Sequence, residues 1–399
     1  MSNIEELIMK LCPNGVPYIK LKEMAEIGTG NSDRKDAVEK GEFPFYVRSK
    51  DILRINKYEY DETAIIIPGE GGIGEIFHYV EGKYSLHQRA YRIHVLDSRL
   101  NTKYLYYYMF SMFKNFIMKK AVTATVTSIR KPMIEEFPIP VPPLEVQCEI
   151  VHILDDFTLL SAELSAELKA RRIQYEYYRD KLLEPKEDWN CIQMNDICEI
   201  ITKQTGFDYS ATIKPALVTE KNDNTLSFIQ NKDFCGEYFN YDTDYYIPKN
   251  IVERFPKITL DKPSILFSIS GKIGNIGLFE KKEKAFIGGA ICICKLKEDN
   301  PIINRYILYY SQSKYGQKYL FKSIKAASHL NITVESIRNM KIYYPNKEQQ
   351  EQIVSKLMKL DKLCNDIFQG LPAEIEARKK QYEYYRDKLL TFKELKVEE

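Results

Sequence analysis

The chain has 399 residues and a formal net charge of +2, with 44% hydrophobic and 29% charged residues. That length suits two or three ordinary domains, and the apolar share excludes global disorder. No run reaches the ~18 apolar residues of a membrane span, and the opening MSNIEELIMKL does not read as a signal peptide. Residues 1–140 then read as strands and turns ahead of a helix. Thr63–Ile67 is a β-branched run, Gly69–Gly74 a glycine-rich turn, Glu75–Val80 an alternating strand and Tyr104–Lys119 a helical patch. Pro142-Pro143 starts a long helix that Pro185 stops. Its apolar residues Ile150, Leu154, Phe157, Leu164, Leu168, Tyr175, Tyr178 and Leu182 step by threes, fours and sevens. Residues 189–343 repeat the first pattern, with strands at Ile265–Ile269 and Ala290–Cys294 and a helical patch over Ile303–Phe321. Asn346 with Gln349 opens a second long helix. It carries Ile353, Leu357, Leu360, Ile367, Ile375, Tyr382, Tyr385 and Leu389, and Gly370-Leu371-Pro372 should break it. The fold class expected is α+β: two domains with curved, mostly antiparallel sheets, separated by two long helices that pair as an antiparallel coiled coil. The boundaries are 1–140, 141–188, 189–343 and 344–399.

The chain is written twice, with a pseudo-two-fold internal repeat. QYEYYRDKLL stands at 174–183 and again at 381–390. Upstream, Ala166-Glu167-Leu168-Lys169-Ala170-Arg171 faces Ala373-Glu374-Ile375-Glu376-Ala377-Arg378. Further back, Pro142, Glu145, Gln147, Ile150 and Val151 face Pro345, Glu348, Gln350, Ile353 and Val354. In the globular parts the match thins to Gly71, Ile73, Gly74 and Ile76 against Gly271, Ile273, Gly274 and Ile276, with Tyr107-Tyr108 against Tyr309-Tyr310. Each half is thus a variable globular region and then a repeated helix.

Catalytic chemistry is missing from the pattern. Gly69-Glu-Gly71-Gly-Ile-Gly74 fits G-x-G-x-x-G, but a dinucleotide loop must open a helix, and Glu75–Val80 alternates like a strand. The glycine-rich segment reads as a hairpin turn. Neither a phosphate loop nor an amino-methyltransferase tetrapeptide occurs. Eight scattered cysteines, the nearest being Cys292 and Cys294, read as reduced thiols rather than metal ligands, which predicts a cytoplasmic protein. His78, His87, His94, His152 and His329 are not spaced as a metal set. Asp61, Glu81 and Lys83 loosely fit a metal-nuclease pattern, and a surface turn explains them as well.

Two variable domains on an unvarying spacer would read two things at a fixed separation. The charge divides accordingly. Residues 1–140 hold 20 Lys+Arg against 18 Asp+Glu, and 189–343 hold 21 against 16. Residues 141–188 hold 6 against 11, and 344–399 hold 11 against 11. The positive excess sits on the globular parts, where a phosphate backbone would be met.

The duplicated P-P-L-x-x-Q-x-x-I-V pattern, the helix ending in QYEYYRDKLL and the strand-turn S-G-K-I-G-N-I-G resemble the specificity (S) subunit of type I restriction–modification enzymes over essentially the whole chain. The resemblance implies a non-catalytic DNA-binding subunit with two target recognition domains reading the halves of a split, asymmetric duplex target. It implies two modification (methyltransferase) subunits docked on the repeated helices, and restriction (translocase/nuclease) subunits beyond them. Those partners would carry S-adenosylmethionine, ATP and Mg, and this chain no cofactor or metal. The tandem Ser161-Ala162-Glu163-Leu164 and Ser165-Ala166-Glu167-Leu168 resembles the family's short spacer repeats, although Ala, Glu and Leu also simply favour helix.

Candidate DNA-contacting residues are Arg34, Lys35, Arg48, Lys50, Arg89 and Arg130 in the first domain. In the second they are Lys203, Lys221, Lys232, Lys272, Lys325 and His329. Each can equally be a solvated surface charge. Tyr175, Tyr178, Tyr382 and Tyr385 are candidates for helix packing or for partner docking. Three other readings stay open: a specificity subunit of a two-half-site type II enzyme, a metal-dependent nuclease at Asp61, Glu81 and Lys83, and a protein-binding scaffold.

Overall fold

The computed structural model describes residues 2–72, 74–120, 128–236, 238–271, 273–280, 283–322, 331–365 and 370–395. It divides into two compact units, 1–163 with 376–399, and 164–375. The division cuts through the long helices rather than at their ends, so each unit is a globular head plus parts of both helices.

In the first unit the elements are α1 (Ser2–Leu11), β1 (Tyr18–Lys20), β2 (Ala25–Thr29), β3 (Phe43–Tyr46), β4 (Ile52–Ile55), β5 (Tyr60–Pro68), β6 (His78–Leu86), β7 (Ala90–Val95), α2 (Thr102–Lys120), α3 (Lys131–Glu135), β8 (Pro138–Pro140) and the first half of α4 (Leu144–Leu182). Strands run in the order β2-β7-β5-β6-β3-β4, antiparallel except for β3 beside β6. The sheet curls so that the β2 end reaches past its neighbour: the Tyr60 hydroxyl of β5 donates to Thr29 O at 3.0 Å, and Ser32 after β2 bridges His87 after β6. Period-two alternation decides what each face of β5 buries. Ile65 and Ile67 face a core with Leu105, Met109, Phe113, Ile150 and Leu154, while Ala64 and Ile66 face Tyr46, Val80 and Leu86 inside the curl. Both faces are covered, which is why the run is continuously apolar. Within the same head Arg92, nearly buried, is held by Glu62 at 3.0 Å and Glu26 at 2.6 Å and lies over the Tyr60 ring.

The second unit repeats the plan with β9 (Asn190–Gln193), β10 (Cys198–Lys203), β11 (Thr225–Ile229), β12 (Phe234–Cys235), β13 (Tyr238–Phe239), β14 (Tyr246–Pro248), β15 (Thr259–Leu260), β16 (Ser264–Ser268), β17 (Ile276–Phe279), β18 (Ala285–Ile287), β19 (Ile291–Leu296), α5 (Asn304–Gln312), α6 (Lys314–Lys322), β20 (Lys341–Tyr344) and α7 (Lys347–Asn365). Two four-stranded sheets have the orders β10-β19-β16-β17 and β14-β11-β18-β15, and β11 with β18 is parallel, as β3 with β6 is in the first head. The expected helix over Ile303–Phe321 is two helices. Ser313 ends α5 by donating its N–H to Tyr309 O, and Asp180 caps the next turn by accepting from Lys314 N at 2.9 Å.

The repeated helices hold each head by the same contacts. Gln147, fully buried, accepts from Asn101 N at 2.8 Å and donates to Arg99 O and Pro142 O. Gln350 accepts from Ile303 N at 2.9 Å and donates to Pro345 O. Tyr104 donates to Pro140 O, and Tyr306 to Tyr343 O. The duplicated glutamine is therefore a clasp between the helix start and the head, with its polar atoms satisfied in a place closed to water.

The end of the chain returns to its beginning. After α8 (Leu371–Leu389), Val16 N donates to Lys393 O, Leu395 N to Val16 O, and the Tyr18 hydroxyl to Phe392 O. Leu389 and Leu390 are buried in the first head's core, and Tyr382 and Tyr385 pack on it beside Phe157. In the second unit Tyr175 and Leu183, from the first copy of the repeat, fill the same role. Each QYEYYRDKLL segment thus belongs to the head of the other half of the sequence.

Candidate nucleic-acid interface

The two heads carry corresponding small clefts built from the same loops. In the first, Arg34, Val47, Arg48, Ser49, Glu70, Gly71 and His87 line about 260 Å³. In the second, residues 230–232 and 288–291 line about 240 Å³. Backbone hydrogen bonds fix the correspondence. His87 N donates to Tyr46 O at 2.9 Å, and Gly288 N to Ile229 O at 2.8 Å. Gly69 N donates to Arg89 O at 2.9 Å, and Ile269 N to Ala290 O at 2.9 Å. Ile129 N donates to Gly69 O at 2.7 Å, and Ile332 N to Ile269 O at 3.0 Å. Position 48 therefore answers to 231, 70 to 270, and 89 to 290.

The first cleft is charged. Glu70 Oε2 accepts from Arg48 at 2.7 Å and from Arg89 at 3.2 Å. The Arg89 and Arg48 guanidiniums hold the Glu70 carboxyl below its usual range. His87 is buried, and that burial, with Arg48 nearby, pulls its pKa down. Its Nδ1 accepts from Arg89 N at 2.9 Å, so the neutral ring carries its proton on Nε2. The second cleft joins the same two positions without charge: Asn231 Nδ2 donates to Ser270 O at 2.6 Å. No donor among the described residues reaches Asn231 Oδ1 or the Oε1 of buried Gln204.

Of the basic residues expected at the interface, Arg34 and Arg48 line the first cleft, and Arg89 joins it through Glu70 at 3.2 Å. Arg130, exposed, starts α3 one residue after the Ile129 contact to the Gly69 loop. Lys35 and Lys50 are exposed on the flanking segments. Lys232 lines the second cleft and pairs with Asp244. Lys203, exposed at the end of β10, and Lys221, paired with Glu283 at 3.9 Å, are not among the residues lining it. Lys272, Lys325 and His329 lie outside the described residues. Positive charge as the guide passes over Glu70, His87, Gln204, Gln230, Asn231 and Ser270. A signal for Glu70 and Ser270 was present all the same, because each directly precedes the paired Gly71 and Gly271.

The glycine-rich segment is the connection from β5 to β6. Gly71, Gly72 and Gly74 have φ of 71°, 58° and 64°, and the next element is a strand rather than a helix. At Gly74 a side chain would strike Lys114. Asp61 sits opposite Lys83 in the β5–β6 register, Lys83 lies over the Tyr58 ring, and Glu81 accepts from Tyr79. Among the described residues no cluster of three potential metal ligands exists, and no helix is long and apolar enough to cross a membrane. On the helices, Tyr175 is buried and Tyr382 and Tyr385 pack inward, while Tyr178 is exposed, as are Ile173, Tyr177 and Tyr384.

Two heads of one plan, each with a differently furnished cleft and each clasped by a repeated helix, define an internally duplicated, two-headed recognition protein. Comparison with known proteins gives the family. The family model described as "Type I restriction modification DNA specificity domain" matches residues 13–171 and 186–377. The type I restriction enzyme EcoR124I/EcoR124II specificity subunit of Escherichia coli is 31% identical over 317 residues, covering 74% of this chain and 72% of that protein. A putative type I restriction enzyme specificity subunit of Haemophilus influenzae is 29% identical over 370 residues, 88% of this chain and 89% of that one. The crystal structure of the type I restriction–modification S subunit from M. genitalium shares the fold, with a TM-score of 0.56 at 15% identity, over 94% of this chain and 96% of that one. The chain belongs to the type I restriction–modification DNA specificity family.

Proposed function

We propose that this chain is the non-catalytic, sequence-specific DNA-binding subunit of a type I restriction–modification enzyme, in which each head reads one half of a bipartite, asymmetric target. The observation that carries this is the pair of corresponding clefts, alike in backbone and different in side chains: one frame, two readings. The clefts belong to separate heads, and specificity in DNA recognition comes from base-edge contacts while cations position the backbone.

The finer assignments extend this reading. The target recognition domains are 1–140 and 189–343, and 141–188 and 344–399 are the helical spacers. Two modification subunits dock on the repeated helices, and the exposed Tyr177, Tyr178 and Tyr384 support the helix surfaces as the contact, since exposed tyrosine is enriched at interfaces. Those subunits bring S-adenosylmethionine and methylate adenine. Restriction subunits bring ATP and Mg chemistry, and the assembly works in the cytoplasm. The Ser161–Leu168 tandem lies within α4 and acts as a ruler. Deleting one tetrad removes ~6 Å of helix, near two base-pair steps of ~3.4 Å.

The test is genome-wide mapping of methylated adenines in cells expressing the chain with its modification subunits. A bipartite motif is expected, with its gap shortened by the tetrad deletion. A contiguous motif, or none, would refute the two-head reading. An unchanged gap would refute the ruler.

A further inference from the structure

The cluster of Arg48, Glu70 and Arg89 asks for an explanation that folding does not provide. The three side chains are 43%, 40% and 57% exposed, and ion pairs at that exposure stabilise a fold weakly. They come from three separate loops, after β3, after β5 and before β7; Arg48 and Glu70 line the cleft, and Arg89 joins them through Glu70 at 3.2 Å. The second head connects the corresponding loops without any charge, through Asn231 and the Ser270 carbonyl, and has Ala290 where Arg89 stands. The loops therefore do not need the ion pairs to be held together, and the charges are free to serve a ligand.

Resting on the reading of the chain as a two-headed DNA reader, we propose that Arg48, Glu70 and Arg89 are the base-discriminating residues of the first head and require a G·C pair in its half-site. The mixture of donors and acceptor, rather than the net charge, distinguishes bases from phosphates. A carboxylate in the cleft repels a phosphate, so a cluster built around Glu70 is poorly suited to the backbone. It matches a base pair instead. A guanidinium fork donates to guanine O6 and N7, and a carboxylate accepts from cytosine N4. Glu70, bonded through Oε2 to both arginines, also orients the forks before DNA arrives, which lowers the ordering cost of binding. Asn231 occupies the Arg48 position in the second head and spends its amide N–H on Ser270 O, so that head has no guanine fork there.

The experiment is selection of bound duplexes from a random library by the full chain assembled with its modification subunits, for the wild type and for Arg48→Gln, Arg89→Gln and Glu70→Gln. The wild type should select a G·C pair in the first half. Arg48→Gln should relax that one position by roughly ten- to a hundredfold. The second half and the gap should be unchanged, which also shows that the variant is folded. An unaltered motif in all three variants overturns the proposal. So does an equal loss of affinity for every sequence with a salt dependence lowered by about one ion, the mark of a phosphate contact. Should Arg48→Gln lose both halves, Glu70→Gln decides: a relaxed first half beside an intact second supports the assignment, and an intact first half overturns it. Absence of any bipartite motif in the wild type refutes the two-headed reading itself, and the proposal with it.

Discussion

Replacing the buried clasp glutamines should destabilise one unit at a time. Gln350 is 1% exposed, and its amide joins Ile303 N at 2.9 Å to Pro345 O at 3.0 Å. In Gln350→Ala the Ile303 N–H and the Pro345 carbonyl both lose their partner. Each buried polar group left unpaired costs about 1–3 kcal/mol, so the pair costs about 3 kcal/mol after partial hydration. With a urea dependence of about 2–3 kcal/mol/M for a unit of this size, the midpoint falls by about 1–1.5 M. The chain supplies its own reporter, because its single tryptophan, Trp189, packs on the core of the second unit. Tryptophan fluorescence during urea unfolding should shift in Gln350→Ala and stay in place in Gln147→Ala, while far-UV circular dichroism should move in both. A fluorescence shift below about 0.3 M in Gln350→Ala would refute the clasp. Equal fluorescence shifts in the two variants would refute the assignment of each glutamine to its own unit.

Three more outcomes rest on named contacts. His87 has a depressed pKa, so its neutral ring is the folded form; the stability it contributes is present above the unfolded value of ~6.5 and is lost as pH falls through the lower folded value. Protonation of Nδ1 would break the bond from Arg89 N, so binding by the first head should weaken only as pH falls below the ordinary histidine value, in step with the His87 ring protons observed by NMR, and His87→Gln should remove that dependence; a titration at the ordinary histidine value would refute it. Glu62→Ala leaves the nearly buried Arg92 with Glu26 alone and should cost about 2 kcal/mol, read by circular dichroism with Trp189 fluorescence unmoved. Truncation after Ile375 removes Leu389 and Leu390 from the first head's core, each burial giving about 1.5–3 kcal/mol, and should abolish that head's unfolding transition while the Trp189 transition survives.

Much of the architecture was legible in the sequence. The long helix over 144–183 is α4, the break at Gly370-Leu371-Pro372 separates α7 from α8, and Asn346 Oδ1 accepts from Gln349 N at 3.0 Å as the capping pattern implies. Helical periodicity and proline placement are local signals, and they survive folding. The split at Ser313 was not legible, because it depends on Asp180 arriving from another element. The buried purpose of Gln147 and Gln350 was visible only as repetition, since a glutamine in a heptad gives no hint of which backbone groups it will meet. The cleft was half legible. Its arginines stood out as cations, but Glu70, Asn231 and Ser270 are ordinary residues until the strands bring their loops together. The inward packing of Tyr382 and Tyr385 against Phe157 likewise came from a partner far away in the chain.

The return of the chain's end to its beginning has a consequence for how the protein is made. Tyr18 and Phe392 are separated by 374 positions, and the first head's core lacks Leu389 and Leu390 until those residues leave the ribosome. At about 5–20 residues per second, that interval is roughly 20–75 s. The domain synthesised first is therefore the one completed last. During that time the apolar surface around Phe157, Leu105 and Leu154 lacks its partner, while the second head receives Tyr175 and Leu183 before its own strands are made and has no such delay. A premature stop codon ahead of Leu389 would therefore leave the core of the first head incomplete, although that head is encoded at the other end of the sequence.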